Sequence, residues 1–134
     1  MPIDVQSLCP LLQVFDMPKA LHFYRDVIGF QVVDNSGGED DRYDWVWLKH
    51  GDANLMLNTA YESDDRPPQP ERSRVAAHDD TCLYMECEDL DGAYRHLRSH
   101  GFEVDPPKVA PYGMRQLYVH DPDGYDVCFQ WPAQ

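Results

Sequence analysis

Apolar positions along the chain follow two periods, and the two alternate in an order that occurs twice. A short apolar run at Leu11, Leu12 and Val14 reads as a strand. Asp16 then stands where a helix cap is expected, with Pro18 in the first turn, where its missing N–H costs little. Ala20, Leu21, Tyr24 and Ile28 continue at helical spacing as far as Gly29, which ends the helix. Asp89, Leu90, Ala93, Tyr94 and Leu97, running to Gly101, repeat that plan, so the two helices are expected to be equivalent. Phe30 to Val32 and Phe102 to Val104 each predict a strand after the helix. Two more strands then follow in each half: 43–49 and 54–58 about Gly51-Asp52, then 116–120 and 125–131 about Asp121-Pro122-Asp123-Gly124. The prediction is βαβββ twice.

The spacing of the repeat is nearly constant. Cys9 and Cys82 lie 73 apart, and Met56 and Cys128 lie 72 apart. One domain over 1–134 is expected, with modules at 8–58 and 81–132. The segment 59–80 carries Pro67-Pro68-Gln69-Pro70, many charges and no apolar period, and reads as a long connecting loop.

Composition narrows the function classes. Forty-three per cent apolar residues suffice for a core in 134 residues, and 26% charged residues argue for a water-facing surface. No apolar run approaches a membrane span, and Met1-Pro2-Ile3-Asp4-Val5 lacks the features of a signal peptide. The expectation is a cytoplasmic protein that does not enter a membrane. A net charge of −13 repels phosphate backbones, which sets nucleic acid aside as a partner. Cys9, Cys82, Cys87 and Cys128 form no CxxC pair and are expected to be free thiols.

Two stretches carry a family resemblance. The run 14–30, with Phe23-Tyr24 and Gly29-Phe30, resembles the strand-to-helix segment of the vicinal oxygen chelate superfamily, which includes glyoxalases, bleomycin-resistance proteins and extradiol dioxygenases. Tyr118-Val119-His120-Asp121-Pro122-Asp123-Gly124-Tyr125 is similar to that family's DPDG turn. The resemblance implies an α+β fold of two tandem βαβββ modules forming an incomplete barrel with a central cleft, and homodimers are common in the family. Many members bind a metal through His, Gln or Glu on the first and last strand of each module. Here those four positions fall on Cys9, Met56, Cys82 and Cys128. Such a set disfavours a glyoxalase I or ring-cleaving dioxygenase site, and no cofactor or metal of that kind is expected.

Strand alternation sorts the neighbours, because residues two apart share a face. The cleft side is predicted to carry Cys9, Leu11 and Gln13; Asn54, Met56 and Asn58; Cys82, Tyr84 and Glu86; and Asp126, Cys128 and Gln130. Trp45, Trp47, Tyr84 and Tyr118 either stack on a planar ligand or fill the core. Arg115 either meets an anionic group or forms a surface ion pair, and Asn58 to Tyr61 either bonds a ligand or ends a strand.

Three functions are compatible with this set. The first is a metal-free protein of the bleomycin-resistance branch that binds a small organic molecule through Cys9, Gln13, Trp47, Met56, Asn58, Cys82, Tyr84, Arg115, Tyr118, Cys128 and Gln130. The second is a lyase or isomerase of the same fold, with Glu86 as the base if burial raises its pKa. The third is a soft-metal or thiol sequestering protein using Cys9, Met56, Cys82 and Cys128, although Cys and Met more commonly serve as small apolar lining.

Overall fold

The computed structural model describes residues 2–59, 61 and 66–134. The chain forms two compact units, Met1–Gln69 and Pro70–Gln134, each built on a four-stranded mixed sheet with open edges.

In the first unit the sheet order is β1 (Leu11–Val14), β4 (Ala53–Thr59), β3 (Trp45–His50) and β2 (Gln31–Asn35). β1 runs parallel to β4 with Leu11 opposite Met56, and the other pairs are antiparallel. Leu12, Val14, Val46, Leu48, Leu55 and Leu57 turn to the helix and are buried. Helix α1 (Met17–Leu21) is capped by the Asp16 carboxylate, which accepts from the Lys19 N–H at 3.3 Å. It continues through His22–Ile28 in wider π-type turns and ends at Gly29, whose φ of 111° suits a residue without Cβ.

That widening departs from the expected equivalence of the helices. Phe23, Tyr24 and Val27 are all buried, while Ile28 is only half-buried, so the inward stripe differs from the one a regular 3.6-residue period gives. Phe23 and Tyr24 meet edge to face, with ring centroids 4.8 Å apart. From the same segment Arg25 reaches the β2–β3 loop, donating to both carboxylate oxygens of Asp41 at 2.9 and 2.8 Å and to Asp26 at 2.8 Å. Asp40 and Asp41 have φ values of 55° and 63°, a left-handed conformation that costs non-glycine residues energy. The Arg25 fork offsets part of that cost.

In the second unit the order is β5 (Cys82–Glu86), β8 (Asp126–Pro132), β7 (Met114–His120) and β6 (Lys108–Val109). β5 is parallel to β8, with Tyr84 opposite Cys128. Helix α3 (Leu90–Ser99) is capped by Asp89, which accepts from the Gly92 N–H at 2.9 Å, and it buries Leu90 and Leu97. The expected strand 102–104 does not form. Pro106 and Pro107 follow it and lack N–H donors, so pairing begins only at Lys108.

Within the expected loop 59–80, the described residues 72–80 are helical. They form α2 (Arg72–Ala77) and a 3₁₀ turn, His78–Asp80. α2 buries no residue, so no apolar stripe marks it in the sequence. It is held instead by the 121–124 turn: His78 Nδ1–H donates to the Asp123 carbonyl at 2.7 Å, and the His78 ring stacks on Tyr125 at 4.0 Å. Inside that turn the buried Asp121 carboxylate accepts from the Asp123 and Tyr125 N–H groups at 2.8 and 2.9 Å.

Two stability measurements check this account. A Cβ on Gly124, which has φ 87°, would lie 2.8 Å from the Val75 carbonyl oxygen. Gly124→Ala is therefore expected to cost about 2 kcal/mol in a urea melt, within the range for backbone strain. Hydrogen bonds from Arg25 hold the Asp26 and Asp41 carboxyls below their ordinary pKa. The folded chain keeps those charges below about pH 4, where the unfolded chain has already bound protons, so stability falls as pH drops through the folded-state values. Arg25→Ala should flatten that acid limb of the stability curve.

Candidate functional site

Side chains on the second sheet's face away from α3 form rungs across three strands. Tyr84, Cys128 and Tyr118 make the middle rung, and Glu86, Gln130 and Gln116 make the next. The Tyr84 and Tyr118 hydroxyls meet at 3.3 Å, and Cys128 between them has 0% exposure. The two rings therefore close over the thiol, while remaining 54% and 46% exposed themselves.

The hydroxyl pair continues into a chain of hydrogen bonds. Tyr118 O–H lies 3.4 Å from Gln116 Oε1, and in the contact between the two tyrosines either hydroxyl can donate. Gln116, 8% exposed, spends its amide protons on Tyr112 Oη at 2.7 Å and Gln130 Oε1 at 2.9 Å. Buried amides need such partners, and here they fix the rotamers of three neighbours, Tyr112, Tyr118 and Gln130. The hydrogen bond it shares with Tyr84, followed by burial, holds the Tyr118 phenol above its ordinary pKa.

Beside this chain lies a cavity of about 360 Å³, lined by Asp105, Pro106, Lys108, Val109, Ala110, Pro111, Gln116 and Tyr118. Proline fixes much of the wall's backbone, which keeps the cavity open at low entropic cost. Tyr112 is 68% exposed, and its hydroxyl, already an acceptor for Gln116, has its own proton to give.

The corresponding face of the first sheet is less polar. Leu11, Met56 and Trp47 form its middle rung, while Gln13, Asn58 and Trp45 form the next. Asn58 donates to Gln13 Oε1 at 3.3 Å and Trp47 Nε1–H to Asn54 at 3.1 Å. Cys9 lies just before β1, half-buried.

Strand pairing puts Gln13, Met56, Asn58, Cys82, Tyr84, Tyr118 and Gln130 on the faces away from the helices, and three residues stand otherwise than expected. Arg115 alternates with Leu117 and Val119 to the helix side, where it grips Asp91 of α3 at 2.7 and 3.3 Å; it is the surface ion pair. Cys128 has the expected orientation but is covered by the two tyrosines, so it lines nothing. Glu86 is exposed, so the burial its role as a base would require is not present. Of Asn58 to Tyr61, Ala60 lies outside the described residues, and Thr59 ends β4.

A family model, the Glyoxalase/Bleomycin resistance protein/Dioxygenase superfamily, matches residues 7–129. The chain belongs to that superfamily. It is 34% identical over 106 residues to the uncharacterized protein YaeR of Escherichia coli (strain K12), covering 76% of this chain and 77% of that one. Among solved structures it is similar to TnmS3, an antibiotic binding protein from Streptomyces sp. CB03234, at 26% identity and TM-score 0.70 over 99% of both chains. A glyoxalase/bleomycin resistance protein from the same strain aligns at 25% identity and TM-score 0.66, over 94% of this chain and all of that one.

Within this superfamily the four positions that resemblance assigns to a metal do not fit a hard divalent ion here. Cys9 and Met56 in the first unit and Cys82 and Cys128 in the second offer sulfur only. All four thiols of the chain are also held protonated. Burial, then the nearby Cys128 and Asp126, pushes Cys82 up to about 11, and burial raises Cys9, Cys87 and Cys128.

Sequence reasoning missed Gln116, Tyr112 and the wall from Asp105 to Pro111. Counting back two residues from Tyr118 would have found Gln116. No local signal marks the wall, because it exists only once the prolines deny a strand to that segment.

The thiol environment makes a prediction. Thiolate is the reactive form, so alkylation by iodoacetamide at pH 7.5 should be slow for Cys82 and absent for Cys128, and Cys82 should speed up only towards pH 11. Peptide mass spectrometry across a pH series measures this; rapid labelling of Cys82 at neutral pH would contradict it.

Proposed function

We propose that this superfamily member binds a small planar organic molecule on the open face of the second sheet and leaves it chemically unchanged. The observation that carries this reading is the preformed cavity edged by Tyr118 and Gln116, with the exposed faces of Tyr84 and Tyr118 beside it. Its volume lies in the range of small-molecule pockets, and two aromatic rings fixed by a buried amide favour a flat, largely apolar guest. The Tyr112 hydroxyl supplies a donor for a carbonyl or phenolic oxygen. The likeness to TnmS3, an antibiotic binding protein, supports a small-molecule guest. Gln130 holds Gln116 in place, and Asp105 and Lys108 put one charge of each sign on the cavity wall.

Titrating purified chain with a panel of planar aromatic antibiotics, followed by intrinsic fluorescence, tests the reading. Saturable quenching is expected for at least one member, with the compound recovered intact by mass spectrometry. Tyr118→Ala should weaken that binding at least tenfold, consistent with lost aromatic stacking and area. Tyr112→Phe should weaken it by about fivefold, one hydrogen bond's worth. Arg115→Ala, on the helix side, should leave it unchanged. Turnover of a bound compound, abolished by Glu86→Gln, would sink this reading and favour the lyase or isomerase.

A further inference from the structure

Above the tyrosine rung, the same face of the second sheet carries Cys82, Asp126 and His120 side by side on β5, β8 and β7. Asp79, from the 3₁₀ turn, leans over the end of this rung. One ligand atom each from Asp79, His120 and Asp126 lies within 4.8 Å of the others. We propose that these three residues form a binding site for a borderline divalent transition-metal ion of the zinc type, with water completing its coordination.

The donor chemistry selects the class of ion. Two carboxylates alone would suit calcium or magnesium, which prefer six or more oxygens. An imidazole among them shifts preference to zinc-type ions, which take nitrogen and oxygen donors at about 2.0–2.2 Å. The separation of the three atoms is compatible with one ion drawing them inward by side-chain rotation. Three protein ligands leave a further position open, as expected for an exposed site.

The scaffold under these side chains is stiff. His120 and Asp126 face each other across the hairpin closed by the Asp121 to Gly124 turn, and the imidazole already bonds the Asp126 carboxylate at 2.7 Å. Asp79 follows His78, which is clamped to that turn through Asp123 and Tyr125. The Asp126 N–H bonds the Thr81 carbonyl at 3.0 Å, tying the exit of the 3₁₀ turn to β8. Backbone placement of all three ligands is thus set before an ion arrives. Among the described residues Asp79 has no lysine or arginine ion-pair partner, so no side-chain cation competes for its carboxylate. A net charge of −13 also raises the local concentration of cations.

This site is separate from the sulfur set. Cys82 flanks Asp126 but is not one of the three donors. The deciding experiment uses the whole chain, stripped with chelator, and titrates Zn²⁺ alone against a chromophoric competitor. One ion per chain is expected, with affinity reduced at least tenfold by His120→Ala and by Asp79→Asn, both exposed positions. Cys82→Ser and Cys128→Ser should leave it within twofold, and Co²⁺ substitution should show no thiolate charge-transfer band. No saturable binding would overturn the proposal, as would binding that survives His120→Ala but is lost on Cys82→Ser. No organic compound enters this titration, so its outcome is independent of the ligand panel.

Discussion

Parallel pairing of the first strand of each module with its last is the constraint on which the rest depends. β1 against β4 and β5 against β8 are neighbours in space although nearly the whole module separates them in sequence. The chain leaves each first strand through a helix that crosses one face to the far edge of the sheet and returns by antiparallel strands, so α1 with its π extension, and α3, must each be apolar on the side facing the sheet. Once the helix covers one face, strand register is fixed, because a slip of one residue would send Val127 and Phe129 to water and Cys128 and Gln130 into the core. The face that does not meet the helix is then free to carry chemistry.

What it carries differs between the two modules. At equivalent rungs the first has Leu11, Met56 and Trp47, the second Tyr84, Cys128 and Tyr118. At the next, the Gln13 and Asn58 contact stands against a Gln116 amide with both its protons and its oxygen engaged. Buried helix-side residues of both modules remain aliphatic or aromatic, with Arg115 at the margin pairing Asp91. Packing thus constrains one face of each sheet and leaves the other open to change without cost to the core, which is how one repeat can hold an apolar surface in one copy and a polar one in the other.

The period-2 and helical patterns made the modules, their strand faces and most face residues readable in the sequence, because those patterns are direct consequences of burial. Departures arose where something other than burial decides. α2 has no buried residue and is held by His78 on a turn, so hydropathy does not mark it. The π extension of α1 is a collective answer to two adjacent aromatics, Phe23 and Tyr24, that both go inside. Pro106 and Pro107 cancel a strand that the Phe-x-Val pattern proposes. Arg115 was legible by alternation, since Leu117 and Val119 set the helix side. Cys128 was legible as to direction but not as to access, because its cover comes from two strands whose tyrosines meet only in the folded sheet.

The burial of Cys128 bears on the thiols generally. A cysteine that serves as a ligand or nucleophile needs access and a neighbour that favours the thiolate. Cys128 lacks access, and the neighbours of Cys82 include the Asp126 carboxylate, which disfavours the thiolate. At Cys128 the sulfur is a compact, polarizable group buried where the Tyr84 and Tyr118 hydroxyls meet. A larger or charged residue at 128 would lift the rings, break their contact and loosen the Gln116 amide beneath the cavity wall. In this module the absence of imidazole and carboxylate at the central position and the presence of an ordered aromatic platform are two aspects of one packing arrangement.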